Sequence, residues 1–161
     1  MRAGEFITEV PSGTMDLLRQ ELPGWPDYVI KDWLYSKIAS PADLQDKIHH
    51  VREVAKMVKP DSWRLVQKMP LTFNMLDSNT QERLKKRKFG DANPFLVPND
   101  RERFEHALEL VKTKGMENLP PIIMLRTSGG LELVEGWHRT LAAFRLHPKM
   151  FRVNAWIGDA A

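Results

Sequence analysis

Leu119-Pro120-Pro121-Ile122-Ile123-Met124-Leu125, a polar turn Thr127-Ser128-Gly129-Gly130, then Leu131-Glu132-Leu133-Val134-Glu135-Gly136-Trp137-His138-Arg139-Thr140-Leu141-Ala142-Ala143 is the stretch on which the fold turns. Residues 121–125 are a short apolar β run, the turn carries two glycines, and residues 131–134 are a second β run, which together spell a hairpin. After Gly136 the pattern changes to that of a helix. Working outward, a helix opens at Asn99-Asp100, with Phe104, Ala107, Leu108 and Val111 on one face, and stops near Gly115 as a glycine just past a helix end would make it. On the other side, residues 151–157 read as a closing strand.

Further upstream, residues 71–76 are expected to form a strand, and Asp77-Ser78 to cap a short helix. Gly90-Asp91-Ala92-Asn93-Pro94 then breaks the chain. The first part reads as helical: residues 27–38 place Ile30, Trp33, Leu34 and Ile38 on one face. Ser40 before Pro41 is an N-cap followed by an N1 proline, with Leu44, Ile48, Val51, Ala55 and Val58 as the stripe that follows and Pro60 as its stop. The expected class is α+β: a helical N-terminal extension over residues 1–65 and a small mixed sheet with helices over 66–161.

The 161 residues carry 24 Lys+Arg and 21 Asp+Glu, so the net charge of +3 describes an ordinary mixed surface. With 42% hydrophobic residues the chain can build a core. The absence of cysteine excludes disulfides, thiol catalysis and every cysteine-ligated zinc or iron–sulfur site. No apolar run approaches the roughly 20 residues that span a bilayer, and the first ten residues lack a secretory core, so the expected compartment is the cytoplasm. His49 and His50 are adjacent on a helix and point apart, which makes them a poor chelating pair. Asp91, Asp100, Glu102 and Glu132 read as surface carboxylates, with two of them near Glu135 the alternative that would build a magnesium site. Trp25, Trp33, Trp63 and Trp156 read as core.

Two features carry chemistry. A glycine between a strand and a helix lets backbone approach a ligand, and the helix start offers N–H groups and a positive dipole end to an anion. His138 and Arg139 add donors at that point, and Glu135 stands beside it as a general base or metal ligand. The bland alternative makes Gly136 a tight turn, Trp137 core and His138 a cap. The second feature is the cluster Arg83, Lys85, Lys86, Arg87 and Lys88, which grips phosphates or, with no aromatic interleaved, ends a helix in solvent.

The stretch 119–143 resembles the ParB/sulfiredoxin superfamily, in which a "PI.V" strand and a hairpin lead to "G-x-(H/R)-R" at a helix start. The likeness extends over residues 70–158, with Asn93-Pro94 at the place of the family's "NP" turn. It implies a phosphate-binding turn of Gly136, Trp137, His138, Arg139 and Thr140, with Glu135 and His138 as catalytic candidates. It also implies a nucleotide (ATP or CTP with Mg2+) or DNA as partner, and nuclease or NTP-using hydrolase chemistry. Trp137 stands where sulfiredoxins have cysteine, so that activity is excluded. Only a short segment follows Arg139, so a partition clamp with its helix-turn-helix domain is not expected.

Glu5-Phe6-Ile7-Thr8-Glu9 is similar to the leader that maturation proteases cut from internal head proteins of tailed phages. That likeness implies a phage protein, in the host cytoplasm or packaged in a virion. Three functions therefore stand at this point. They are a phosphoester- or NTP-cleaving enzyme, a non-catalytic DNA- or nucleotide-binding module, and a packaged structural protein docking a protein partner through its N-terminal helices.

Overall fold

A computed structural model describes residues 12–86 and 100–161; the Glu5–Glu9 motif, Arg87, Lys88, Asp91 and Asn93-Pro94 lie outside them. The chain divides into two compact units, one ending at Trp63 and including Gly158–Ala161, the other Arg64–Ile157.

The first unit is helical. α1 (Ser12–Glu21) is followed by a short α2 (Asp27–Val29), which continues through a π turn (Ile30–Leu34) into a 3₁₀ turn (Tyr35–Lys37). The expected face is buried, at Ile30, Trp33, Leu34 and Ile38, although the segment is not the regular α-helix its spacing suggested. α3 (Pro41–Lys56) starts as Ser40 predicts, its hydroxyl accepting from the Asp43 amide at 3.1 Å. Leu44, Val51 and Val58 are buried as expected, and Val54 joins them. α3 ends ahead of Pro60, because Val58 leaves to pair with Ala160. Arg52 of α3 donates Nε and Nη2 to the Glu21 carboxylate of α1 at 3.0 and 2.8 Å. Trp25, Trp33 and Trp63 pack together with ring centroids 5.1–6.3 Å apart.

The second unit is α+β. Its strands are β1 (Arg64–Leu71), β2 (Ile122–Thr127), β3 (Gly130–Glu135) and β4 (Phe151–Asp159), in a mixed sheet ordered β1-β4-β2-β3. Its helices are α4 (Ser78–Lys86), α5 (Asp100–Lys114) and α6 (Trp137–Leu146). The first strand lies earlier than residues 71–76, which instead form a 3₁₀ turn at Phe73–Met75. The physical reason is that β1 is an irregular edge strand. Its register on β4 shifts between Val66 and Met69, Lys68 takes a φ of 51°, and Pro70 lies within it, so no alternation is left to read.

β2 is buried from Ile122 through Leu125, and α5 and α6 pack on one another through Phe104, Ala107 and Val111 on one side and small Ala142 and Ala143 on the other. α5 stops at Gly115, whose φ of 83° suits only a residue without a side chain.

α4 is fixed to the outer edge of β3. Leu76 bridges Leu131, the Asp77 amide donates to the Leu131 carbonyl at 2.8 Å, and the Leu133 amide donates to the Thr80 hydroxyl at 3.1 Å. The Asp77 carboxylate accepts from the Thr80 amide at 2.8 Å, which is the cap its sequence promised. An exposed sheet edge is thereby covered by a helix start. Thr80→Val keeps the shape but leaves a buried amide without its acceptor; urea unfolding should show a loss of about 1–3 kcal/mol, whereas Asn79→Ala, at an exposed position of the same turn, should not.

Candidate functional site: a strand–glycine–helix junction

β3 ends in a bulge. Met124 pairs with Leu133 while Ile123 pairs with Glu135, so Val134 is the extra residue immediately before the turn. The Val134 carbonyl accepts the Trp137 indole N–H at 3.1 Å. Gly136 then adopts φ 102° and ψ 25°, a left-handed conformation, with the Ile122 side chain lying where a Cβ would stand: the nearest approach would be 2.5 Å. The bland requirement for a glycine is thus real, and it coexists with an N-terminus of α6 that no side chain caps. Arg139 donates a guanidinium N–H to the Pro120 carbonyl, which ties the first turn of α6 to the chain leading into β2. Thr140 is fully buried, and its amide makes the first helical bond to the Gly136 carbonyl at 2.9 Å.

His138 is half-buried and its Nε2 lies 2.6 Å from Oδ1 of Asp100, the first residue of α5. Asp100 is buried, 8% exposed, and not the surface carboxylate expected from its neighbours. The pair joins the starts of α5 and α6, and an imidazole held by a carboxylate is fixed in ring orientation. Glu135 sits half-buried at the bulge, opposite Ile123.

Arg83 of the basic cluster comes to the same place. Arg83, one turn beyond Thr80, lays its guanidinium 4.1 Å from the centroid of the Trp137 ring, and Lys85 lies 5.7 Å from that of Phe73. Aromatic rings, missing from the cluster in sequence, are supplied in space by other elements. Lys86 pairs with Glu82 at 3.4 Å on the exposed side of α4. Glu132 also departs from its expected solvent-facing place. Burial pushes its carboxyl above the usual range, the Asp77 carboxylate adds to the rise, and the Arg83 guanidinium opposes it.

The structure therefore brings together Gly136, Trp137, His138, Arg139 and Arg83, and adds Asp100, which sequence reasoning had not joined to His138. Nothing local marks that partnership, since 38 residues separate the two. Among the described residues no three His, Asp or Glu side chains group closely enough to hold a metal ion, and no helix is long and apolar enough to cross a membrane. His49 and His50 are exposed on α3. No family model matches the chain, and no curated protein matches it either.

Two substitutions test this geometry. Gly136→Ala should lower stability by about 1–2 kcal/mol for the left-handed conformation alone, and further through contact with the stiff Ile122, read as a fall in the urea midpoint. Glu132→Gln should act in the opposite sense. A carboxyl whose folded-state affinity for its proton is raised loses stability as pH rises through that range. The variant should therefore melt higher than the parent at neutral pH, with the difference vanishing in acid below the ordinary glutamate range.

Proposed function

We propose that residues 64–157 form a ParB/sulfiredoxin-like domain that binds a phosphate-bearing ligand, a nucleotide or a nucleic acid, at Gly136–Arg139. The observation that carries the reading is the meeting of an uncapped helix N-terminus with guanidinium groups from two elements, Arg139 at its first turn and Arg83 over its first side chain. Backbone N–H groups, the dipole and two arginines suit a phosphate better than any neutral ligand. The order of elements, a helix, a hairpin, a left-handed glycine and a second helix, supports the family resemblance without depending on it.

The His138–Asp100 pair supports a hydrolytic reading, in which His138 accepts a proton from water as its oxygen bonds to phosphorus, the P–O bond to the leaving alcohol or phosphate breaks, and that oxygen leaves with the electron pair. A carboxylate-oriented imidazole is suited to that transfer. Glu135 at the bulge is the second candidate for the same role. ATP or CTP, with Mg2+ carried on its phosphates, is the nucleotide form of this reading, and a non-catalytic binding module resting on the same arginines is the second reading.

Calorimetric titration of ATP, CTP and inorganic phosphate, with and without Mg2+, tests the site. Binding should weaken about 10- to 100-fold in Arg139→Ala, the range expected for losing a charged hydrogen-bond pair. Equal binding by parent and variant, or none by the folded parent, would remove the phosphate site from this turn.

A further inference from the structure

The aromatic and cationic groups extend beyond the junction along α6. Trp137 and Phe144 are seven residues apart, so they share a side of that helix about 10 Å from one another. Phe73 packs edge-on against Phe144 with centroids 5.6 Å apart. α4 lays a cation on each end of this row: exposed Arg83 on Trp137, at 4.1 Å, and exposed Lys85 on Phe73, at 5.7 Å. α6 carries no carboxylate; its Arg145 lies 5.1 Å from the Phe104 ring of α5 and its Arg139 is on the Pro120 carbonyl, so the cations of the row are those of α4. The acidic groups on the α4 side are Glu82, already on Lys86, and Glu132 and Asp77, which face one another beside Arg83.

We infer that this row is the track of a single-stranded nucleic acid, with one phosphate at the Gly136 turn and the strand running along α4 and α6 toward Phe73. The inference rests on the phosphate site proposed above and names its substrate class. Phe144 is buried, and the two half-buried rings, Trp137 and Phe73, each with a cation of α4 beside it, match a backbone whose bases are free to stack, whereas a duplex keeps its base faces covered. Arg83 and Lys85 hold the ring faces in the unliganded protein and turn to phosphates when bases replace them.

Fluorescence anisotropy with the full chain tests this, using oligo(dT), oligo(U), the same dT sequence paired in a duplex, and dTMP. Oligo(dT) or oligo(U) of about 12 nucleotides should bind at least about tenfold more tightly than dTMP and than the duplex. The difference between the dT and U arms reports whether DNA or RNA is the source. Lys85→Gln and Arg83→Gln should each weaken oligonucleotide binding and reduce its salt slope by about one, leaving dTMP affinity nearly unchanged for Lys85→Gln. Phe73→Leu should weaken it with no change in salt slope; thermal melting confirms that each variant is folded.

Strands that bind no better than dTMP, a duplex that binds equally well, or an indifferent Lys85→Gln would each overturn the track while the junction stands. Oligonucleotide binding that is lost in Lys85→Gln yet untouched in Arg139→Ala would keep the track and remove the phosphate from the turn.

Discussion

The position of the basic helix depends on its hydrogen bonds to the edge of β3, among them that of the Leu133 amide to the Thr80 hydroxyl. β3 is the edge of the sheet, and its outward amides need acceptors. Threonine at the first turn of α4 supplies one, and the Asp77 amide meets the Leu131 carbonyl beside it. The helix is thereby pinned at its start, and residues a turn later fall over the end of β3. Arg83 reaches Trp137 for that reason, and the same docking buries Glu132 against Asp77. Docking on this edge thus sets both a cation–aromatic pair and a carboxylate whose charged form is disfavoured.

The bulge at Val134 does comparable work at the other end of β3. By inserting one residue, it turns Glu135 into register with Ile123 and frees the Val134 carbonyl to hold the Trp137 indole. With the ring fixed, its face is available to Arg83. Gly136 follows because Ile122 fills the space a side chain would need, so the demand for glycine is set by packing. Close packing of backbone on Ile122 is also what leaves the start of α6 uncapped, because the residue at the cap position has no side chain to offer.

The hairpin, the following helix and the capped α3 and α4 were legible because each rests on neighbours in sequence: alternation, a glycine turn, Ser40 before Pro41, Asp77 before Ser78. β1 was not, because its side chains follow a bulge and an edge and not a period. The Asp100–His138 and Arg83–Trp137 contacts were invisible for a different reason. Asp100, Arg83 and His138 are each unremarkable in place, and only the packing of α5 on α6 and of α4 on β3 gives them partners. Glu132 shows the same limit in reverse. Alternation with Leu131 and Leu133 correctly put it on the opposite face of β3, but that face was covered in part by α4.

A buried carboxylate beside the proposed anion site looks like a contradiction, since Asp100 would repel what α6 and the arginines would attract. Its place in the fold resolves it. Asp100 is the first residue of α5, where the positive end of that helix offsets its charge. Its Oδ1 is also engaged at 2.6 Å by Nε2 of His138, the second residue of α6. The carboxylate thus fixes the orientation of the imidazole, and Asp100 belongs with His138 at the junction for that reason.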